Sequence, residues 1–310
     1  MRLGLCLPQI GRFASGRVIR QFAAVADGIG VDSLWAQEHL LQADAPEPAQ
    51  PGWPGGMGYR SVLAPTEVLA YAVAATTRAR LGTSVLVSAY HQPVELAQRM
   101  ATLDVLSGGR VILGIGLGAS EGGYRASGTP WEERGARCRD FIRAVRTCWG
   151  PNPVHYDGEF FTVPLCATSP DPVQAGGPPI LGGFASAPGV RRSAELCDLW
   201  GPIGLEPADA VAGLEAVNRI ATGLGRPPLE LVLRVFASPW LPGRVEPSPP
   251  LLQPCWVGHA DDFAIRVGDA AAAGVDELIL DTGFSDVRSE DDWLDQPEFF
   301  EPAIDAAHHG

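Results

Sequence analysis

The stretch Thr102–Gly118, TLDVLSGGRVILGIGLG, decides how this chain folds. TLDVLS closes a helix, Gly108-Gly109 turns the chain, and Arg110 to Ile115 forms an apolar strand without polar alternation. A strand of that kind is buried on both faces, as in a parallel sheet. Gly114, Gly116 and Gly118 then leave bare backbone at the strand's C-terminal end. In α/β folds that end is where ligands sit.

Working outward, seven more segments read as strands: Arg2–Leu7, Asp32–Ala36, Arg80–Ser88, Pro179–Gly182, Asp198–Ile203, Glu230–Phe236 and Val275–Asp281. Between them lie helical patterns at Val18–Ile29, Pro65–Thr77, Pro93–Ser107, Trp131–Trp149, a run ending at Leu196, Pro207–Leu224 and Ala260–Ala273. Eight strands alternating with helices predict one α/β domain over residues 1–310, a (β/α)8 TIM barrel with insertions. A doubly wound sheet is the alternative. An insertion is expected at about 150–178, with a hairpin over Val154–Val163 turning at Asp157-Gly158. Residues 42–62 are rich in Pro and Gly and carry Trp53 and Tyr59, the composition of a lid over a substrate. Trp240–Pro254 reads as loop, and the acidic, aromatic tail from Phe284 is expected to end in a disordered His308-His309 pair.

Composition narrows the function. With a net charge of −13, the chain is a poor partner for nucleic acid or an anionic membrane. No apolar run reaches membrane-spanning length, and MRLGLCLPQI enters a strand directly, so a cytoplasmic protein is expected. The six cysteines form no C-x-x-C pair and are expected to be reduced. All 23 basic residues are arginine. The absence of lysine excludes Schiff-base chemistry and the Walker A loop. Any anion must therefore be held by arginine, backbone N–H groups or helix N-termini.

Three places are candidates for chemistry. Glu38-His39 closes the second strand on the catalytic face of a barrel, where a histidine can move a proton near neutral pH; otherwise it is a hydrogen-bonded loop histidine. The G-x-G-x-G at Gly114–Gly118 lacks the Rossmann spacing. It either lets a flat ligand approach or permits tight packing at the strand end. Gly182-Gly183, between a strand and a helix, suits phosphate binding or is simply a turn. The six histidines offer neither H-x-H nor H-x-x-x-H, so no metal site is expected, and no G-x-S-x-G elbow occurs.

Several segments, in order, carry a family resemblance. They are GVDSLWAQEHL (Gly30–Leu40), RLGTSVLV (Arg80–Val87), QPVELAQRMATLDVLSGGRVILGIGLG (Gln92–Gly118), GTPWEERGARCRDFIRAVRTCW (Gly128–Trp149), HYDGEFF (His155–Phe161), PPILGG (Pro178–Gly183) and AAGVDELIL (Ala272–Leu280). Together they resemble the bacterial luciferase-like monooxygenase superfamily, and within it the oxidoreductases that use the deazaflavin coenzyme F420. The resemblance implies a homodimeric barrel with the cofactor at its C-terminal mouth. It also implies a non-prolyl cis peptide at Ser84–Val85 behind the ring. By position, Glu38 and His39 match the acidic-His pair at the ring, with His39 the acid or base. Gly116, Leu117 and Gly118 match the loop along the cofactor, and Gly182 and Gly183 the phosphate-binding turn.

The resemblance implies an F420-dependent oxidoreductase moving a hydride between the deazaflavin C5 and a small organic substrate. The EHL form of the histidine motif and the TSV strand tilt the reading toward F420. The alternatives are an FMN-dependent monooxygenase and a non-catalytic flavin-binding accessory protein. Where the related sugar-phosphate dehydrogenases place a catalytic glutamate this chain has Ala119, their tryptophan aligns near Ala43, and their phosphate-gripping lysines are missing. Those departures argue against sugar-phosphate oxidation and leave the substrate and the direction of hydride flow open.

Overall fold

A computed structural model describes residues 1–41, 61–247 and 254–309. The expected lid, with Trp53 and Tyr59, falls almost wholly outside the described residues. Eight parallel strands close a ring: β1 (Arg2–Cys6), β2 (Ser33–Ala36), β3 (Arg80–Thr83), β4 (Val111–Gly116), β5 (Ile180–Gly182), β6 (Leu199–Trp200), β7 (Glu230–Pro239) and β8 (Glu277–Asp281). Each pairs with the next, and β8 pairs with β1 through Leu3↔Leu278 and Leu5↔Leu280. Ring closure gives the (β/α)8 barrel and sets aside the doubly wound sheet. Among the described residues, no helix is long and apolar enough to cross a membrane.

The strands carry apolar residues on both faces because both faces are covered. Cys6, Trp35, Ile112, Leu181, Leu199, Val232 and Ile279 pack inside the ring, while the opposite faces meet the helices. Trp35 is the bulkiest of the interior residues and is fully buried. Glycines on the neighbouring strands make room for it: a Cβ at Gly82 would lie 2.2 Å from its Cζ3, and one at Gly4 2.7 Å from its Nε1. The indole N–H donates to Ser33 Oγ at 2.7 Å, and that hydroxyl donates to Glu277 Oε1 at 2.6 Å. Glu277 is fully buried and paired with Arg2 and Arg80, so the lower end of the barrel carries a neutralised carboxylate.

Four features differ from the sequence expectation. The third strand is interrupted: β3 stops at Thr83, Ser84–Val85 is a cis peptide, and Leu86–Val87 resumes pairing with β4. The seventh strand runs three residues beyond the expected Phe236 and is flanked by a further parallel strand, Cys255–Gly258, hidden in sequence by the Pro-rich loop before it. The sixth strand is shorter than expected, and Ile203 contributes only a bridge to Arg234. The tail is helical rather than loose. Phe299 and Phe300 pack edge-on against Phe263, the Met1 ammonium donates to Ala307 O at 3.0 Å, and His308 sits in a helix with Nε2 2.9 Å from Asp32 Oδ2. The apolar faces of this helix, at Ala303, Ile304 and Ala307, are what hold it down.

The insertion forms the expected hairpin, with Val154–Asp157 antiparallel to Thr162–Cys166. Asp140 fastens it to the helix Arg134–Cys148 by accepting from the Tyr156 hydroxyl and from Phe160 N and Phe161 N at 2.8 and 3.0 Å.

The fit of Trp35 between glycines gives a direct test. Gly82→Ala is expected to destabilise the protein by about 1–3 kcal/mol through overpacking, read from the urea midpoint. Adding Trp35→Leu should recover part of that loss. A Gly82→Ala protein as stable as wild type would show that the barrel interior is not filled as described.

Candidate functional site

The C-terminal mouth of the barrel is built around Arg234, a charged residue inside the apolar strand β7. It is 6% exposed. Its guanidinium donates to Asp281 Oδ2 through Nη2 at 2.6 Å and Nε at 3.2 Å, and to Gln37 Oε1 at 2.7 Å. Nη1 donates to the carbonyl of Ser84. One side chain thus ties β8, the end of β2 and the break after β3 together. Asp281 is completely buried, and its second oxygen accepts from Gly283 N at 2.9 Å. Gln9 completes the frame: its amide donates to Gln37 O at 2.8 Å and accepts from Gln37 N at 2.6 Å.

The cis linkage expected at Ser84–Val85 is present. It is fastened on both sides, since Ser84 N donates to Ala36 O at 2.8 Å and Glu38 N to Val85 O at 3.3 Å. The Val85 side chain turns toward β4 and β5, where the glycines are. A Cβ at Gly116 would lie 2.5 Å from Val85 Cγ2, and one at Gly183 2.6 Å from Val85 Cγ1. Gly114 has no room either, facing Thr83 O at 1.8 Å. Gly118 adopts a left-handed φ of +64° under Val87. Of the two readings of this glycine row, packing is therefore the one for which the contacts are visible: the glycines accommodate the displaced third strand.

Glu38 and His39 follow the end of β2 and share one cavity wall. Glu38 Oε2 accepts from Val87 N at 2.7 Å, and Oε1 lies 2.9 Å from His91 Nε2. His39 is half-buried and, with Gln37, Glu38, Ser84, Val85, Gly118, Ala119 and Arg234, lines a cavity of about 170 Å³. Tyr90 is the wall this cavity shares with a second one of about 270 Å³, which is bounded by His91, Thr129, Arg134 and Phe161. The structure therefore brings Glu38, His39, Ser84, Val85 and Gly118 together. It leaves Gly116, Leu117, Gly182 and Gly183 outside the cavity wall. Gly183 N is already committed to Ile115 O at 2.9 Å, and Gly182 O accepts from Gly201 N at 3.1 Å. Ala119 stands in the wall with no carboxylate.

Sequence reasoning missed four residues. Arg234 and Asp281 were marked by charges closing or interrupting apolar strands, LVLRVF and LILD. His91 follows the short 3-10 turn Ser88–Tyr90 after the third strand and carries no motif. Arg192, in the helix Ala187–Leu196, is 3% exposed, and its Nε and Nη1 are buried without hydrogen-bond partners. Burial pushes the thiols of Cys6 and Cys138 up, and the Asp281 carboxylate adds to the effect at Cys6.

Breaking a buried ion pair by removing one partner costs about 3–5 kcal/mol, so Arg234→Met is expected to lower stability by that amount in chemical denaturation. Combining it with Asp281→Asn should restore part of the loss. A neutral single variant would mean that the pair does not organise the mouth.

Residues 5–239 match the family described as luciferase-like monooxygenase. An uncharacterised protein of Mycobacterium tuberculosis is 32% identical over 207 residues, covering 64% of this chain and 71% of the relative. An F420-dependent glucose-6-phosphate dehydrogenase of Amycolatopsis mediterranei is 32% identical over 150 residues, 47% of this chain and 41% of that enzyme. Among solved structures, the monooxygenase RslO1 of Streptomyces bottropensis superposes with a TM-score of 0.81 at 20% identity, covering 100% of both chains.

Proposed function

The chain belongs to the luciferase-like monooxygenase family, and on that premise we propose that it is an F420-dependent oxidoreductase acting on a small organic substrate. The observation that carries this reading is the mouth cavity, whose wall His39 shares with the Ser84–Val85 segment that Arg234 holds. F420 rather than FMN is favoured by the curated relative whose name states that cofactor, and by the single-histidine EHL sequence at Glu38–Leu40. The chain spans 41% of that relative, and the relative's substrate is not carried over. Ala119 and the absence of lysine both argue against a sugar phosphate.

The residues present fit a cofactor with a planar ring and a phosphate. Two adjoining cavities share Tyr90 as a wall, and Arg134 and Arg137 line the second. When bound, a deazaflavin supplies a hydride at C5. The protein's task is to place ring and substrate within reach and to exclude water. Arg234, Gln37 and Ser84 form a rigid floor. Glu38, with both oxygens engaged by Val87 N and His91, braces the third strand and positions its neighbour. His39 then gives or takes the proton that balances hydride transfer to or from a carbonyl or alcohol carbon.

Fluorescence titration with F420 and with FMN tests the cofactor. F420 is expected to bind more tightly. Tight FMN binding without F420 binding would favour a monooxygenase, and binding of neither an accessory protein. His39→Ala is expected to lower turnover by about a hundredfold or more while leaving cofactor affinity nearly unchanged. A parallel collapse in affinity would make His39 a binding contact instead.

A further inference from the structure

The helix Arg134–Cys148 and the insertion strand Thr162–Cys166 each end on a cysteine. Both residues line one cavity of about 470 Å³, together with Val94, Ala97, Trp149 and Pro170. Both are free thiols. Cys148 is 5% exposed and belongs to the apolar core, and Cys166 is half-buried and packs against the same cluster. Burial pushes the Cys148 thiol up, and Cys166 adds to that rise, so the two sulfurs lie within electrostatic reach of each other.

The backbone around the pair is held together. Thr168 Oγ1 donates to Cys148 O at 2.7 Å. The Asn152 side chain accepts from Thr168 N at 2.8 Å and donates to Thr168 O at 3.0 Å. Cys166 is also the strand partner of Val154, at the start of the hairpin. Separating the helix end from the strand end would break all of these bonds.

The other cysteines lack this combination of a neighbouring thiol and an opening. Cys138 and Cys197 also feel each other, but both are fully buried, as is Cys6. Cys255 is half-buried, and burial and Asp281 push it up to about 12; its charged neighbours are Asp281 and Arg266, not a second thiol.

We propose that Cys148 and Cys166 are a redox-active dithiol, which hydrogen peroxide entering this cavity oxidises to a disulfide. Reactivity follows thiolate character and exposure, and Cys166 is the more exposed of the two. Its thiolate attacks one peroxide oxygen, the O–O bond breaks, and a sulfenic acid forms as the other oxygen leaves as water. The Cys148 sulfur then attacks the sulfenic sulfur. Its proton goes to the departing hydroxyl, and the S–S bond forms with a second water. Two thiols thereby lose two electrons, and one peroxide is reduced to two waters. The bond ties the helix to the hairpin, and both elements border the second cavity, through Arg134 and Arg137 on one and Phe161 on the other. No flavin or deazaflavin takes part, so this chemistry is independent of the proposed function.

The test treats the reduced full-length protein with a stoichiometric amount of hydrogen peroxide, followed by alkylation, digestion and mass spectrometry. A peptide pair joined through Cys148 and Cys166 is expected, with two of the six thiols lost and both recovered by dithiothreitol. Cys166→Ser should leave Cys148 reduced under the same treatment. Cys148→Ala should stop Cys166 at the sulfenic acid, which dimedone traps, and Cys148→Ser serves if the alanine variant does not fold. The proposal is overturned if wild-type Cys166 goes on to sulfinic acid while Cys148 stays a free thiol. A bond to Cys255 or between two chains, or no loss of thiols in a large excess of peroxide, overturns it equally.

Discussion

Asp281 and Arg234 meet at the barrel's upper end, and that contact places Gln37 and the Ser84 carbonyl at the mouth. A guanidinium has five donors in a fixed plane. Here one edge is held by a fully buried carboxylate, which leaves the remaining N–H groups aimed at Gln37 and at the Ser84 carbonyl. The third strand cannot settle back into a regular ladder without leaving that buried donor unsatisfied. Its departure from the ladder moves Val85 toward β4 and β5, and the glycines there become necessary. Charge pair, interrupted strand and glycine row are thus one structural unit.

A second polar system sits at the opposite end. Glu277 is buried among Arg2, Arg80 and Ser33, with Trp35 hydrogen-bonded into the same group. Between the two ends the interior is apolar. Buried polar groups are tolerated when each has its partners, and both systems meet that condition nearly throughout. They also fix which side chains face inward on β7 and β8, since a one-residue slip would send Arg234, Glu277 and Asp281 to the outer face. The ion pairs therefore help to specify the register as well as to stabilise it.

Much of the fold was legible in the sequence because strand burial on both faces is written as continuous apolar runs. VILGIG and ELILD declare themselves by composition, and the helix Pro93–Ser107 is found at the residues expected from its leading Pro93 and the glycine after it. The break in the third strand was visible only through family resemblance, since LGTSVLVS has uniform β character by propensity. The strand Cys255–Gly258 and the helical tail depend on tertiary contacts that local sequence does not carry. At the site, Glu38 and His39 could be singled out by type and position. That Glu38 also braces the third strand and His91 depends on spacing in three dimensions. Arg234 was legible in principle: a lone charge in an apolar strand is expensive unless something buried answers it.

That same principle separates the two buried arginines among the described residues. Arg234 and Arg192 are exposed to 6% and 3% and carry the same charge in a chain that has no lysine. One is neutralised by Asp281 and satisfied by three further acceptors; the other stands against an aromatic ring with nitrogens unpaired. A structural arginine would be expected to look like the first. The second rests its charge on the Phe184 ring face, a weaker answer than a carboxylate. The mouth of the barrel therefore carries a cation whose partner is internal, and that pair fixes the floor.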